Sequence, residues 1–138
     1  MPIQPYLSFE GRCEEAIAFY KQAVGAEVEM MMRFSDAPDQ PPPGTMPPGS
    51  ENKIMHAGLK IDGSAVGMTD GYCSGKAGQF QGISLTLVTR DEQKAERAFA
   101  ALAEGGQVMM PLAKTFFSKS FGSLTDRFGV SWMVYVEE

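Results

Sequence analysis

One supersecondary pattern is written twice along this chain. With Leu7 placed on Leu87, an offset of 80, Ala18 falls on Ala98, Phe19 on Phe99, Ala23 on Ala103, Gly25 on Gly105, Val28 on Val108 and Met30 on Met110. Each copy reads as a short strand, an amphipathic helix, a glycine stop and a Met-rich strand. Self-similarity of this kind means two copies of one unit, each too small to bury its hydrophobic face alone. Proteins built this way commonly work in the cleft between the copies.

The spacing predicts the elements of each copy. Ile3 to Phe9 alternates as a strand, with Ile3, Leu7 and Phe9 on one side and Gln4, Tyr6 and Ser8 on the other. Ala16, Ile17, Phe19, Tyr20, Ala23 and Val24 recur at helical spacing over Cys13 to Val24. Glu14 and Glu15 suit the first turn of that helix, and Gly25 its end. Glu27 to Phe34 is a strand. Ser35 to Asn52 holds Pro38, Pro41, Pro42, Pro43, Pro47 and Pro48, a density that neither a ladder nor a helix accepts, so it reads as a loop. Ile54 to Ile61 and Ser64 to Thr69 form a hairpin about Asp62-Gly63. Asp70 to Gln79, with three glycines, reads as the linker. The second copy has a strand at Gly82 to Val88, a helix at about Asp91 to Ala103 and a stop at Gly105-Gly106. A strand at Gln107 to Met110 and a hairpin of Ser118 to Thr125 with Val130 to Val136 complete it.

The hairpins superpose at an offset of 66, Gly63 on Gly129 and Val66 on Trp132. The offsets differ by about 14 residues, which the proline-rich segment 35–52 supplies as an insertion in copy one. Such a loop is either a lid or a variable surface insertion. The expected architecture is α+β, a single domain over 1–138 made of two βαβββ modules, 1–75 and 76–138.

Composition narrows the partners. The net charge is -5, and the 12 Lys and Arg form no basic run, so nucleic acid is not expected. No apolar run reaches the ~20 residues that span a bilayer, and Met1 to Tyr6 is not a secretory signal, so no membrane partner is expected. Cys13 and Cys73 form neither a disulfide framework nor a zinc set, which suits a cytoplasmic protein. DGYCSGKA (Asp70 to Ala77) fails as a phosphate loop on spacing, and Ala77 stands where Ser or Thr is needed. No GxGxxG turn joins a strand to a helix, so the marks of a nucleotide or methyl-donor fold are missing.

PYLSFEGRCEEAIAFYKQAVGAEV (Pro5 to Val28), MHAGLKIDGSAVGMTD (Met55 to Asp70) and FGSLTDRFGVSWMV (Phe121 to Val134) resemble the PhnB-like branch of the vicinal oxygen chelate superfamily. That superfamily includes glyoxalase I, bleomycin-resistance proteins and extradiol dioxygenases, and some PhnB-like members carry the name 3-demethylubiquinone-9 3-methyltransferase. The resemblance implies a cup-shaped sheet from each module, frequent homodimers and, in the enzymes, a divalent metal held by His and Glu. Carried over, the ligand positions fall near Gln4 and Ser84 in the first strands and Gly67 and Met133 in the last. None of these suits Zn²⁺, Ni²⁺ or Fe²⁺, and shifting one residue either way brings no better donor. No metal or other cofactor is therefore expected.

His56 is the only histidine. With Met55, Ala57, Leu59 and Ile61 on the apolar face, His56, Gly58 and Lys60 point into the cup. His56 is the catalytic candidate, as general base or ligand hydrogen-bond partner. It could equally be a structural histidine bonded to the opposite copy, and Asp70 is a possible companion. The same alternation makes Tyr6, Ser8, Thr69, Ser84, Thr86, Met133 and Tyr135 ligand-lining candidates, with Ser131 beside them. Trp132, Val134, Phe19 and Phe99 belong to the core. Met30, Met31, Met32, Met109 and Met110 read as core filling in preference to pocket lining. Cys13 at a helix start has a dipole-lowered thiol pKa, but without a nearby His it is not a nucleophile. Two functions follow: a metal-free protein that binds a small organic molecule in the cup as a homodimer, or an enzyme. The enzyme would be a metal-dependent lyase, isomerase or dioxygenase, or would use His56 in acid–base chemistry.

Overall fold

A computed structural model describes residues 3–38, 46–71, 73 and 80–138. The chain divides into two compact units, Met1–Gly78 and Gln79–Glu138. The first contains β1 (Tyr6–Ser8), α1 (Cys13–Val24), β2 (Glu27–Arg33), β3 (Ile54–Ile61) and β4 (Ser64–Thr69). The second contains β5 (Leu85–Thr89), α2 (Glu92–Ala103), β6 (Gln107–Ala113), β7 (Ser120–Thr125) and β8 (Ser131–Val136). Each is a βαβββ module with a four-stranded sheet, ordered β1-β4-β3-β2 and β5-β8-β7-β6. The first strand of each pairs parallel to the last, and the other pairings are antiparallel. The fold is α+β. No helix among the described residues is long and apolar enough to cross a membrane.

Both helices obey the sequence periodicity. Ala16, Ile17, Phe19 and Tyr20 are the buried stripe of α1, and Leu7, Ala57, Leu59, Ile61, Val66 and Met68 are the buried positions of the strands beside it. Each large side chain so buried contributes roughly 1.5–3 kcal/mol. Gly25 ends α1 at φ 66, a left-handed conformation that costs a side-chain-bearing residue more. In the second unit Ala95, Phe99 and Leu102 face Leu124, Trp132, Val134 and Val136. Asp62 and Gly63, at φ 51 and 87, make the expected tight turn between β3 and β4.

Several expectations change. β1 starts only at Tyr6, so Ile3 lies outside the ladder and is 98% exposed instead of joining the core. The alternation in β3 breaks at Met55, because Met32 pairs with His56 and Arg33 with Ile54, leaving Met55 as the extra residue of a bulge. Ile54 is therefore the buried residue there and Met55 only half-buried. The methionines read as core are not core: Met30, Met31, Met109 and Met110 are 41–61% exposed. Their strands, β2 and β6, are end strands of their sheets among the described residues. β6 also runs on to Ala113 through Pro111, which an edge strand tolerates. The proline-rich segment is flanked by 3-10 turns at Phe34–Asp36 and Ser50–Asn52, while residues 39–45 lie outside the described residues, as do 72 and 74–79 of the expected linker.

Asp70 is a structural residue. Its carboxylate is buried and accepts the N–H groups of Gly11 at 2.9 Å, Cys13 at 2.7 Å and Ile54 at 2.7 Å. It ties the start of α1 to the start of β3 and is not the partner of His56. Burial beside Asp70 pushes the Cys13 thiol far up, opposite to the dipole expectation, because removing the thiolate from water outweighs a partial charge.

Candidate functional site

The sheet face of the first unit that does not carry the buried stripe is built around two glycines. Strand pairing places Tyr6 beside Gly67 and Gly67 beside Gly58, so β1, β4 and β3 present Tyr6, Gly67 and Gly58 in a row. A Cβ at Gly67 would stand 2.5 Å from Tyr6 Cδ2 and 2.9 Å from Cε2, with Gln4 Nε2 at 3.4 Å. The Tyr6 ring therefore lies flat across β4, which only a residue without a side chain permits. Crossing β4 brings the phenol to β3, where Tyr6 Oη and His56 Nδ1 are 3.0 Å apart. The two rings stack at 11° with centroids 5.6 Å apart. On the far side Met30 flanks Gly58, its Cγ 3.4 Å from where a Cβ would be. Met32 pairs with His56 on β2.

His56 thus lies on the face away from the buried stripe, and its Nδ1 is bonded to Tyr6 of its own unit. The pair leaves one donor for a carbonyl or carboxylate in either ring tautomer: Nε2–H where the phenol donates to Nδ1, the phenol O–H where Nδ1–H donates to the phenol. Tyr6 is 54% exposed, so the pair is open to solutes.

Four of the other candidates, Ser8, Thr69, Ser84 and Tyr135, already hold hydrogen-bond partners. Ser8 Oγ donates to Glu10 Oε1 at 3.0 Å. Thr69 is buried; its hydroxyl donates to the Met55 carbonyl at 2.7 Å and accepts from Gly71 N–H at 3.1 Å. The Ser8 hydroxyl serves the turn after β1 and the Thr69 hydroxyl the loop after β4. In the second unit Ser84 and Ser131 share a 2.7 Å hydrogen bond, Thr86 pairs with Met133, and Tyr135 Oη donates to the Phe117 carbonyl at 3.1 Å. Gln4 and Gly67 enter the sequence reading only as poor metal positions, Gly58 only as cup-facing and Met30 as core, so their part in seating Tyr6 and His56 is not legible there. A glycine inside each of two adjacent strands was the available sign, since strands lose stability by carrying them.

The metal that the sequence resemblance implies does not fit the residues at the carried-over positions. Tyr6 and Gln4 occupy the space above Gly67, and Met133 faces Thr86 in the second unit. Among the described residues no three His, Cys, Asp or Glu side chains gather as a metal would require. The donor set Gln4, Gly67, Ser84 and Met133 offers no carboxylate, imidazole or thiolate.

A family model for 3-demethylubiquinone-9 3-methyltransferase matches residues 2–135. The chain belongs to this family. Protein YjdN of Escherichia coli (strain K12) is 38% identical over 143 residues, covering 99% of this chain and 95% of that protein. Among solved structures, protein PA1353 from Pseudomonas aeruginosa is 42% identical with a TM-score of 0.84, covering 99% of this chain and 98% of that one. The PhnB protein from Bacillus cereus is 30% identical with a TM-score of 0.78, covering 99% of each chain. A glyoxylase/bleomycin resistance protein/dioxygenase domain from Frankia sp. EAN1pec is 13% identical with a TM-score of 0.64, covering 100% of this chain and 98% of that one, a likeness of fold. The PhnB-like resemblance and the glyoxalase-like fold read from the sequence both stand.

Proposed function

We propose that this family member binds a small, partly apolar organic molecule on the open face of its first sheet, with the Tyr6–His56 pair as the polar handle. The observation that supports it is the phenol-to-imidazole bond made across Gly67. Glycines at Gly58 and Gly67 lower the floor, Met30 supplies an adaptable apolar wall, and the pair offers one directed donor. The exposed methionines and valines of the edge strands β2 and β6 (Val28, Met31, Val108 and Met109) support a second copy of the chain as the macromolecular partner. The family's name describes a methyl transfer, but the sequence lacks the glycine-rich turn of a methyl-donor fold, so binding is the reading preferred.

Native mass spectrometry of protein purified without denaturation tests the site. A retained organic molecule is expected on the natural chain and lost from His56→Ala and Tyr6→Phe. His56→Ala should lower stability by no more than about 1 kcal/mol, since the ring lies outside the core. Equal retention by both variants, or a large loss of stability with retention unchanged, would make the pair scaffold.

A further inference from the structure

The second unit carries an aromatic cluster that the Tyr6–His56 reading does not use. Phe121 on β7 and Tyr135 on β8 are direct cross-strand partners. Gly122, between Phe121 and Ser123, faces α2, for a Cβ there would meet Phe99 at 2.8 Å. Alternation therefore turns Phe121 and Tyr135 to the face opposite α2. Phe117 stacks parallel to Tyr135 at 6.1 Å and 6°, and meets Phe121 edge-on at 5.2 Å. Phe116 meets Phe117 edge-on at 5.1 Å and is 100% exposed. A fully exposed phenylalanine at the end of a cluster with two more phenylalanines and a tyrosine is an apolar surface left open to water.

The turn that presents these rings is pinned. Thr115 N–H donates to the Ser118 carbonyl at 3.0 Å, and Phe117 N–H to Thr115 Oγ1 at 3.3 Å. The buried Ser118 hydroxyl lies 2.8 Å from the Ser120 carbonyl and 2.7 Å from that of Val136. Tyr135 Oη holds the Phe117 carbonyl from the neighbouring strand. A ligand would find the surface already shaped, so little ordering entropy opposes binding.

Charge selects the ligand. In a chain of net charge -5, residues 105–125 contain Lys114 and Lys119 and no Asp or Glu. Both lysines are exposed and flank the Phe116-Phe117 turn. At the end of β8, Glu137 is paired with Arg90 at 3.5 Å, and Glu138 is the last residue. We infer that the Phe116, Phe117, Phe121 and Tyr135 surface is a stacking site for a planar aromatic anion, such as an aromatic carboxylate, with Lys114 and Lys119 supplying the charge preference.

Ligand-observed NMR titrations with 2-naphthoate, 2-naphthylmethanol and 2-naphthylmethylammonium test it on the full chain. The anion should bind tightest and the cation weakest. Phe116→Ala, which touches no core, should weaken the anion and the alcohol alike, and adding Phe117→Ala should bring the loss to about tenfold, the scale of one aromatic stacking contact. K114Q/K119Q should weaken 2-naphthoate several-fold and leave 2-naphthylmethanol unchanged. Thermal melts check folding, and if Phe117→Ala unfolds the chain, Phe116→Ala and the lysine variant decide alone. Equal affinity for anion and cation, or unchanged affinity in Phe116→Ala, overturns the inference. So does self-association that Phe116→Ala abolishes in a protein that binds no naphthoate, since a second copy would then cover the patch. None of these results depends on His56, so the two sites stand or fall separately.

Discussion

The first unit has its helix start held from a distance, whereas the second holds its own. Arg12 precedes α1 and makes no side-chain cap; Asp70, far along the chain, accepts the Gly11 and Cys13 N–H groups and reaches Ile54 as well. In the second unit Asp91 directly precedes α2, and its Oδ1 accepts from Gln93 at 3.0 Å and Lys94 at 3.2 Å. The buried acid of that unit, Asp126, binds Phe128, Val130 and Trp132, all within its own hairpin. One topology thus admits two solutions to the same orphan N–H groups. In the first, one carboxylate ties the helix start to β3; in the second, Asp91 caps its own helix and Asp126 accepts from N–H groups of its own hairpin. The open faces differ in the same way. The first is a polar pair bridged over glycine, and the second is aromatic at one end with hydroxyls elsewhere.

The sharpest way to break that comparison is to remove the two caps. Asp70→Ala strands two buried donors and one part-buried donor at roughly 1–3 kcal/mol each, partly recovered by entering water, so about 3–5 kcal/mol should be lost. Asp91→Ala should cost about 1 kcal/mol, as for an exposed N-cap. Urea midpoints of the two variants measure the difference. Equal losses would mean that Asp70 caps one helix and does not join three elements.

Gly67→Ala comes next. The new methyl must displace the Tyr6 ring, the flexible partner, so stability should fall by about 1–2 kcal/mol. The Tyr6–His56 hydrogen bond should be lost with it, which the His56 ring resonances report. Combined with Tyr6→Ala, the cost of the methyl should nearly vanish, because the clash has no partner left. Additive costs would show that Gly67 is required by the backbone alone. At the matched position of the second unit, Met133 faces Thr86, and Met133→Ala should leave any such coupling untouched.

Periodicity carried the fold because it is a local property. Cys13–Val24, Ile54–Ile61 and Ser64–Thr69 follow from spacing, a glycine stop and an Asp-Gly turn. The sheet edge was not legible. Met30 and Met110 look apolar whichever neighbours they have, and only strand order shows that β2 and β6 are outermost. Asp70 read as linker because its three donors lie 16 to 59 residues away, beyond any local pattern. His56 was placed on the correct face by alternation, but its partner required the parallel pairing of β1 with β4. The aromatic patch had a visible sign in Phe116-Phe117, yet consecutive phenylalanines signal core as readily as surface.

The smallest expected effect concerns an exposed ion pair found on one unit's helix. Arg33 of β2 grips Glu14 of α1 at both carboxylate oxygens, at 3.1 and 2.8 Å, while the second unit has a looser ion pair elsewhere, Arg90–Glu137 at 3.5 Å. The hydrogen bond from Arg33 holds the Glu14 carboxyl below its ordinary value of 4.5. A carboxylate whose pKa is lower in the folded state adds stability above its unfolded pKa and loses it as pH falls through the folded one. The natural chain should therefore exceed Glu14→Gln in urea midpoint by a small, constant amount above about pH 5. That margin should shrink below pH 4.5 and also shrink in molar salt, since the pair is largely solvated. Glu137→Gln, at the looser contact, should show a smaller margin still. A Glu14 margin that grows on acidification, or ignores salt, would place its origin in packing and not in the ion pair.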